Sequence, residues 1–246
     1  MKSFVRNILH SLGWEMYRYP QACERMEPHL KMIFARQPID LLLDVGANEG
    51  QFATEARSLG YQGPIVSFEP IPEMVQLLKS KASADGKWSV VPTALGRASE
   101  TKQFHITKSS DFSSLRAPNA ECKSVFVDGG TVERVIDVTV KRLADVLPEC
   151  LSLSGSSGRS ILLKMDTQGS DNEVLDGAEP ILDRVCGVIS EVVVRPLYDG
   201  STRYLEQIAR LERWGFELTG LFPVSRDPQL RVIEFNCVMM RPQLLS

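Results

Sequence analysis

The chain has 246 residues, 43% of them hydrophobic and 24% charged, with a formal net charge of −3. That length can bury a sizeable core in one domain, and the slightly acidic balance, without a basic stripe, argues against nucleic acid as a main partner. No window approaches the roughly 20 consecutive apolar residues of a transmembrane segment, and the five single cysteines, without C-x-x-C, fit a reducing, cytoplasmic setting.

Residues 1–36 are expected to form an N-terminal helical cap ahead of a main domain over 37–246. In the opening stretch Phe4, Ile8, Leu9 and Leu12 share a helical face, and Arg6, Asn7 and His10 interrupt any signal-peptide core. Such a helix packs on the domain in the plainer reading. In the sharper one it covers substrate or touches a membrane surface through Lys2 and Arg6.

Alternation follows. "IDLLLDVG" (39–46) reads as a strand, 50–60 as a helix closed by Gly60, "PIVSFEP" (64–70) as a strand, 72–86 as a helix and "WSVVPTALG" (88–96) as a third strand. This β-α-β-α-β order with short connections calls for a parallel sheet with helices on both faces, and the strands are apolar throughout, as two covered faces require. Residues 97–160 break the rhythm. Segments 101–110 and 132–140 suggest an inserted antiparallel pair on the sheet's edge, "KRLADVLPE" a short helix, and "SLSGSSGRS" (152–160) a flexible connector. A strand (161–169), a helix (171–185), a strand (187–196), a helix (202–215) and a C-terminal hairpin complete the chain.

In such a sheet, ligands gather where strands end. The first turn is D-x-G-x-N-x-G. A pyrophosphate-binding loop wants glycines at its first, third and sixth positions, and here these are Gly46, Asn48 and Gln51. The loop is therefore poorly made for NAD or FAD. It suits a nucleoside ligand with an amino-acid end, S-adenosylmethionine: a bend at Gly46, close approach at Ala47 and Gly50, and polar partners in Asn48 and Gln51. Glu69, followed by Pro70, ends the second strand 25 positions after Asp44, where a carboxylate can accept from both ribose hydroxyls, a role that taken alone suits NAD equally or is that of a solvated loop carboxylate. Ala94 and Leu95, ending the third strand, complete the cofactor set together with Asp44 and Asp166.

The motifs "LLLDVGANEGQF", "VSFEPIPEMVQLL", "VPTALG", "SSL" (113–115), "LLKMDTQGSDNEVLDGAE" and "SEVVVRPLYDGSTRYLEQIARLERWGFEL" resemble the FkbM-type family of S-adenosylmethionine-dependent methyltransferases, in family order over about residues 39–240. The resemblance implies a Rossmann-like class I methyltransferase fold: a mostly parallel seven-stranded sheet with a C-terminal antiparallel hairpin and helices on both faces. It also implies O-methylation of a hydroxyl on a sugar or small natural product. Ser170 before Asp171, and Arg195 with Pro196 after Glu191, depart from the family pattern near the acceptor side.

Taking a hydroxyl proton asks for a positioned carboxylate or histidine. Asp166, ending the fourth strand, is the first candidate, as base or as the group orienting cofactor and acceptor; its structural alternative is a turn residue holding 167–169. Glu191, an acid in an apolar strand, is the second. Lys164 is expected to ion-pair with a neighbouring acid, and His105 to be structural. Ser110, Ser113 and Ser114 either meet a ligand or form an ordinary polar loop. The three dispersed histidines give no metal site. Two other functions compete: a nucleotide-dependent oxidoreductase or epimerase, which Asn48 and Gln51 disfavour, and a non-catalytic partner protein keeping the fold.

Overall fold

The computed structural model describes residues 25–126 and 130–242. The amphipathic stretch at 4–12 lies outside them. The first described helix, α1 (Met26–Arg36), buries Leu30 and Ile33, and its His29 packs on Phe222 and reaches Thr219 Oγ1 at 3.1 Å. This part of the expected cap is thus built into the core of the main domain.

The central sheet holds seven strands in the order β3-β2-β1-β7-β8-β10-β9: β1 (Leu41–Val45), β2 (Ile65–Phe68), β3 (Trp88–Val91), β7 (Ile161–Met165), β8 (Val185–Val193), β9 (Glu217–Arg226) and β10 (Val232–Met240). Pairings among β1, β2, β3, β7 and β8 are parallel, and β10 runs antiparallel to both β8 and β9. Alternate side chains sort to opposite faces. Leu41, Leu43 and Val45 enter one core cluster, and Leu42 enters another with Ile65 and Leu162. Helices α2 (Gln51–Ser58) and α3 (Pro72–Asp85) cover the second face, and α5 (Leu143–Ser154) and α6 (Asp171–Ala178) the first. That double covering is why the strands carry no polar alternation.

Three element boundaries differ from the sequence reading, each for a stereochemical reason. The expected third strand breaks at Pro92, which has no N–H to continue a ladder. Trp88–Val91 stays in the main sheet, and β4 (Ala94–Leu95) instead pairs with β6 (Val132–Lys141). With β5 (Glu100–Thr107), antiparallel to β6, these form a separate three-stranded sheet rather than an edge of the large one. The expected helix over 171–185 is α-helical only to Ala178; Pro180 follows, and Glu179–Arg184 tightens into a 3-10 helix. The start of the supposed connector, 152–154, is the last turn of α5, which ends at Gly155 in the left-handed conformation. In chain order the short α4 (Ala120–Val125) falls between β5 and β6, and α7 (Tyr204–Arg213) precedes the hairpin.

From β1 the strand order runs outward through β2 on one side and β7 on the other. The loops after β1 and β7 therefore face each other at the switch in strand order, where such sheets bind ligands.

Candidate active site

The two loops are locked together at the backbone. Asp166 N donates to Val45 O (3.0 Å), while Gly46 N and Ala47 N both donate to Phe68 O (3.1 Å each). A Cβ on Gly46, at φ +72°, would lie 2.0 Å from the Asp166 carbonyl oxygen. Gly46 is thus demanded by the neighbouring loop. Gly50, the N-cap of α2, would drive a Cβ into Trp88 (2.6 Å) and Leu78 (2.9 Å). The crowding around Gly50 comes from the protein's own side chains.

A cavity of about 700 Å³ opens at this junction, within the size range of small-molecule sites. Of the sequence candidates, Ala47, Asn48, Gln51, Asp166 and Glu191 line it. Gly46, Pro70, Ala94 and Leu95, again with Asp166, surround a second space of only about 40 Å³, far below the volume of such a site. Asp44, Gly50 and Glu69 line neither.

Asp44 is fully buried at the end of β1, directly opposite Lys164 in the β1–β7 register. Lys164 Nζ stands 3.3 Å from Asp44 Oδ1, 3.8 Å from Asp166 Oδ2 and 5.6 Å from the Phe52 ring centre. Burial alone would lower the Lys164 pKa; the charges of Asp44 and Asp166 outweigh it and hold the ammonium above its ordinary value. The other Asp44 oxygen accepts from Ser67 Oγ (3.0 Å), which itself accepts from Trp88 Nε1 (2.9 Å). The expected ion pair of Lys164 with a neighbouring acid is thus present, and Asp44 acts from beneath the site.

Glu69 occupies a similar place. Its two oxygens accept from Asn48 N (2.8 Å) and Ile71 N (2.9 Å), tying the first loop to the end of β2. Burial pushes its pKa up to about 7, against those two hydrogen bonds. Above it, Asn48, at φ +45°, donates Nδ2 to Asp111 Oδ1 (2.7 Å), and its Oδ1 is buried without a partner among the described residues. Gln51 turns its side-chain carbonyl to Glu49 N (3.1 Å).

After β7, the turn role considered for Asp166 falls to Asp171. Its Oδ1 accepts from Thr167 N (2.9 Å) and Thr167 Oγ1 (2.5 Å), and its Oδ2 from Ser190. Asp166 is left free to face the cavity. Between it and Glu191 stands Gln168, at φ +52°, whose Nε2 donates to Asp166 Oδ1 (2.8 Å) and Glu191 Oε1 (3.1 Å). The Tyr198 hydroxyl donates to Gln168 Oε1 (2.7 Å) and so fixes which end of the amide meets the carboxylates. Burial first, and then the charges of Asp166 and Glu234, raise Glu191 well above the usual carboxylate range.

The small sheet docks onto this loop through Ser114, whose Oγ lies 2.7 Å from Gln168 O and 3.2 Å from Thr167 O. Ser113 accepts from Thr107 N (3.1 Å), Ser110 reaches the cavity, and His105 bridges to Ser114 by backbone bonds. Gln168, Tyr198 and Glu234 were not among the sequence candidates. Gln168 lies inside the "DTQG" motif and Tyr198 inside "SEVVVRPLYDG", so both positions were visible; Glu234 carries no such signal and comes to the cavity only through folding. Among the described residues no cluster of His, Cys, Asp and Glu is fit to hold a metal ion.

The family model described as "Methyltransferase FkbM domain" matches residues 44–218. The 2-O-methyltransferase NoeI of Sinorhizobium fredii is 26% identical over 208 residues, covering 79% of this chain and 80% of that protein. Among solved structures, a Thermobifida fusca protein assigned as a methyltransferase superposes with a TM-score of 0.51 at 11% identity, covering 90% of this chain and 79% of that one. The structural likeness is one of fold.

Proposed function

The chain belongs to the FkbM methyltransferase family and is an S-adenosylmethionine-dependent methyltransferase, and from that premise we propose that it methylates a hydroxyl of a sugar or small natural product at the cavity between the β1 and β7 loops. The observation that carries this reading is the pairing of an unsatisfied buried acceptor, Asn48 Oδ1, with two carboxylates, Asp166 and Glu191, on the walls of one cavity. Buried polar atoms without partners are rare, and a lone acceptor in a ligand cavity fits a cationic N–H donor such as the ammonium of an amino-acid moiety. Ala47, Asn48, Gln51 and Asp166 would hold that end of the donor. Its adenosine would extend toward Pro70, Ala94 and Leu95, where the 40 Å³ space would have to widen. Glu69 would reach a ribose only if Asn48 moved away from it.

When bound, the sulfonium donor supplies a methyl carbon open to in-line displacement. The chain's part is to hold the acceptor oxygen in line and to take its proton. The 2-O specificity in the name of the relative supports a hydroxyl acceptor. An oxidoreductase is disfavoured because the loop offers Asn48 and Gln51 where a dinucleotide needs glycine.

Isothermal titration with S-adenosylmethionine and with its demethylated product tests the donor site, and mass spectrometry of a glycan panel tests the acceptor. Absence of binding at millimolar donor would overturn the assignment of the cavity. Donor binding with no methylated glycan or hydroxylated product would overturn the acceptor class alone.

A further inference from the structure

The sheet face covered by α2 and α3 is apolar along β8 and β10 at Ile189, Val238 and Met240, and turns polar toward the carboxyl end of β8. There Glu191, Glu234 and Asn236 line the cavity. Asn236 stands opposite Glu191 in the β8–β10 register, and Glu234, two residues before Asn236, shares its face. Ser225, opposite Glu234 on β9, donates Oγ to Glu234 Oε1 (2.5 Å). Glu234 is only 4% exposed, and among the described residues no cation lies within ion-pair distance of it. A buried carboxylate without a counter-charge is costly. On the wall of a ligand cavity, the counter-charge can arrive with the ligand.

The rest of the cavity has no free cation to offer. Its walls carry the acids Glu27, Glu55, Asp111, Asp166, Glu191 and Glu234 against two bases, Arg25 and Lys164. Arg25 is engaged by Glu27 (3.2 Å), and Lys164 by Asp44 and Asp166 (3.3 and 3.8 Å). A phosphate, sulfate or carboxylate on the acceptor would meet like charges and no counter-ion. Two rings add to the lining: Phe112 and Phe126, with centroids 4.6 Å apart. Phe126 packs on the cluster of Cys122, Leu197, Tyr198 and Ile233, the last being Glu234's neighbour in the chain. Aromatic faces and a carboxylate in one cavity are the surroundings that stabilise a desolvated ammonium.

We propose that Glu234 anchors a protonated amine on the acceptor, so that the hydroxyl compound methylated here is an amino sugar or an aminated small natural product, and not an anionic one. The inference rests on the methyltransferase reading of the cavity and names the acceptor's charge class. The donor's own ammonium falls to Asn48, Gln51 and Asp166 in the loops after β1 and β7. Glu234 belongs to the hairpin strand β10, two strands away from β7. Glu191, on the strand between them, already accepts from the Gln168 amide (3.1 Å). Glu234 is thus the buried charge on that wall left for the acceptor.

The test uses the whole chain saturated with the demethylated donor, and ligand-observed NMR titration at pH 7. The probes are methyl glucosaminide and the aminoglycoside kanamycin, each against its N-acetylated form, with methyl glucuronide as the anion. Each amine should bind about 10-fold or more tightly than its acetylated form, and the glucuronide should not bind. In Glu234→Gln that preference should disappear with the donor Kd unchanged, and Glu234→Asp should restore part of it. With labelled donor, mass spectrometry should find methyl product from an amine probe and not from its acetylated form.

Equal affinity for amine and acetylated probes, a preference that survives in Glu234→Gln, or binding of neither amine would overturn the anchor. Thermal unfolding checks that the variants fold, and the wild-type comparison of amine with acetylated probe decides the charge preference without them. If the donor itself does not bind in isothermal titration, the methyltransferase reading of the cavity fails and the anchor with it. Donor binding without an amine preference overturns the anchor alone.

Discussion

Glu69 shows how burial gives one carboxyl two consequences. It is 3% exposed and bonded to two backbone N–H groups, yet burial lifts its pKa from the ordinary 4.5 to about 7. The folded-state value lies above the unfolded one, so the folded protein keeps a proton that the unfolded chain releases. Its stabilising contribution is complete below about pH 4.5 and is lost as pH rises through 7. Denaturant unfolding of wild type and Glu69→Gln at pH 5 and pH 8 should therefore show wild type losing about 3 kcal/mol relative to the variant; parallel pH dependence would contradict this burial. Asp166 sits in a different setting, with its carboxylate facing Lys164, Gln168 and the cavity. Asp166→Asn is expected to weaken donor binding as read by isothermal titration and to lower turnover, because Asp166 stands with Ala47, Asn48 and Gln51 on the cavity wall that would hold the donor.

At the scale of elements, the site depends on two loops passing within contact distance. Gly46→Ala would combine a left-handed backbone with a Cβ 2.0 Å from a carbonyl oxygen that β7 cannot withdraw. The conformation alone costs roughly 1–2 kcal/mol, so a loss above about 2 kcal/mol in stability, with loss of donor binding, is the expected outcome. Gly155→Ala is the control. It ends α5 at φ +65° with nothing within 4 Å of where the added methyl would stand, so it should cost only about 1 kcal/mol and leave binding intact. Equal losses in both variants would show that crowding between the β1 and β7 loops is not what requires Gly46. The element types were legible because the apolar runs and helical stripes are long. The boundaries that moved did so at Pro92 and Pro180, where a missing N–H ends a ladder or a helix, and at Gly155, where α5 closes in a left-handed cap.

At the scale of the whole fold, two large core clusters flank the seven-stranded sheet, and among the described residues four cysteines lie buried and unpaired: Cys122, Cys150, Cys186 and Cys237. Burial pushes the thiol pKa up to about 11 for Cys122 and about 12 for Cys150 and Cys237. These thiols should stay unreactive to an aromatic disulfide reagent at pH 8 until the protein is denatured, and a reductant should leave the unfolding midpoint unchanged. Rapid labelling at any of the four in the native state would contradict that packing. The small sheet completes the architecture. Ser114 and Tyr198 join it and the loop after β8 to Gln168, so this wall of the cavity is held by segments more than 80 residues apart.

By itself, the sequence determined the sheet class, the order of its elements, the family, and the first loop's unsuitability for a dinucleotide, because each is written in local chemistry: periodicity, glycine placement and the acids ending strands. Only the tertiary structure decided which of those acids meet a cavity. Asp44 and Glu69 end strands just as Asp166 does, but they turn beneath the loops and are satisfied there by Lys164 and by backbone N–H groups. Burial, then Asp166, then Glu234 raise Glu191 above the usual carboxylate range, and Glu234, 43 positions away, comes diagonally beside it only through the antiparallel register of β10. Proton affinity depends on neighbours in space, and strand order sets those neighbours.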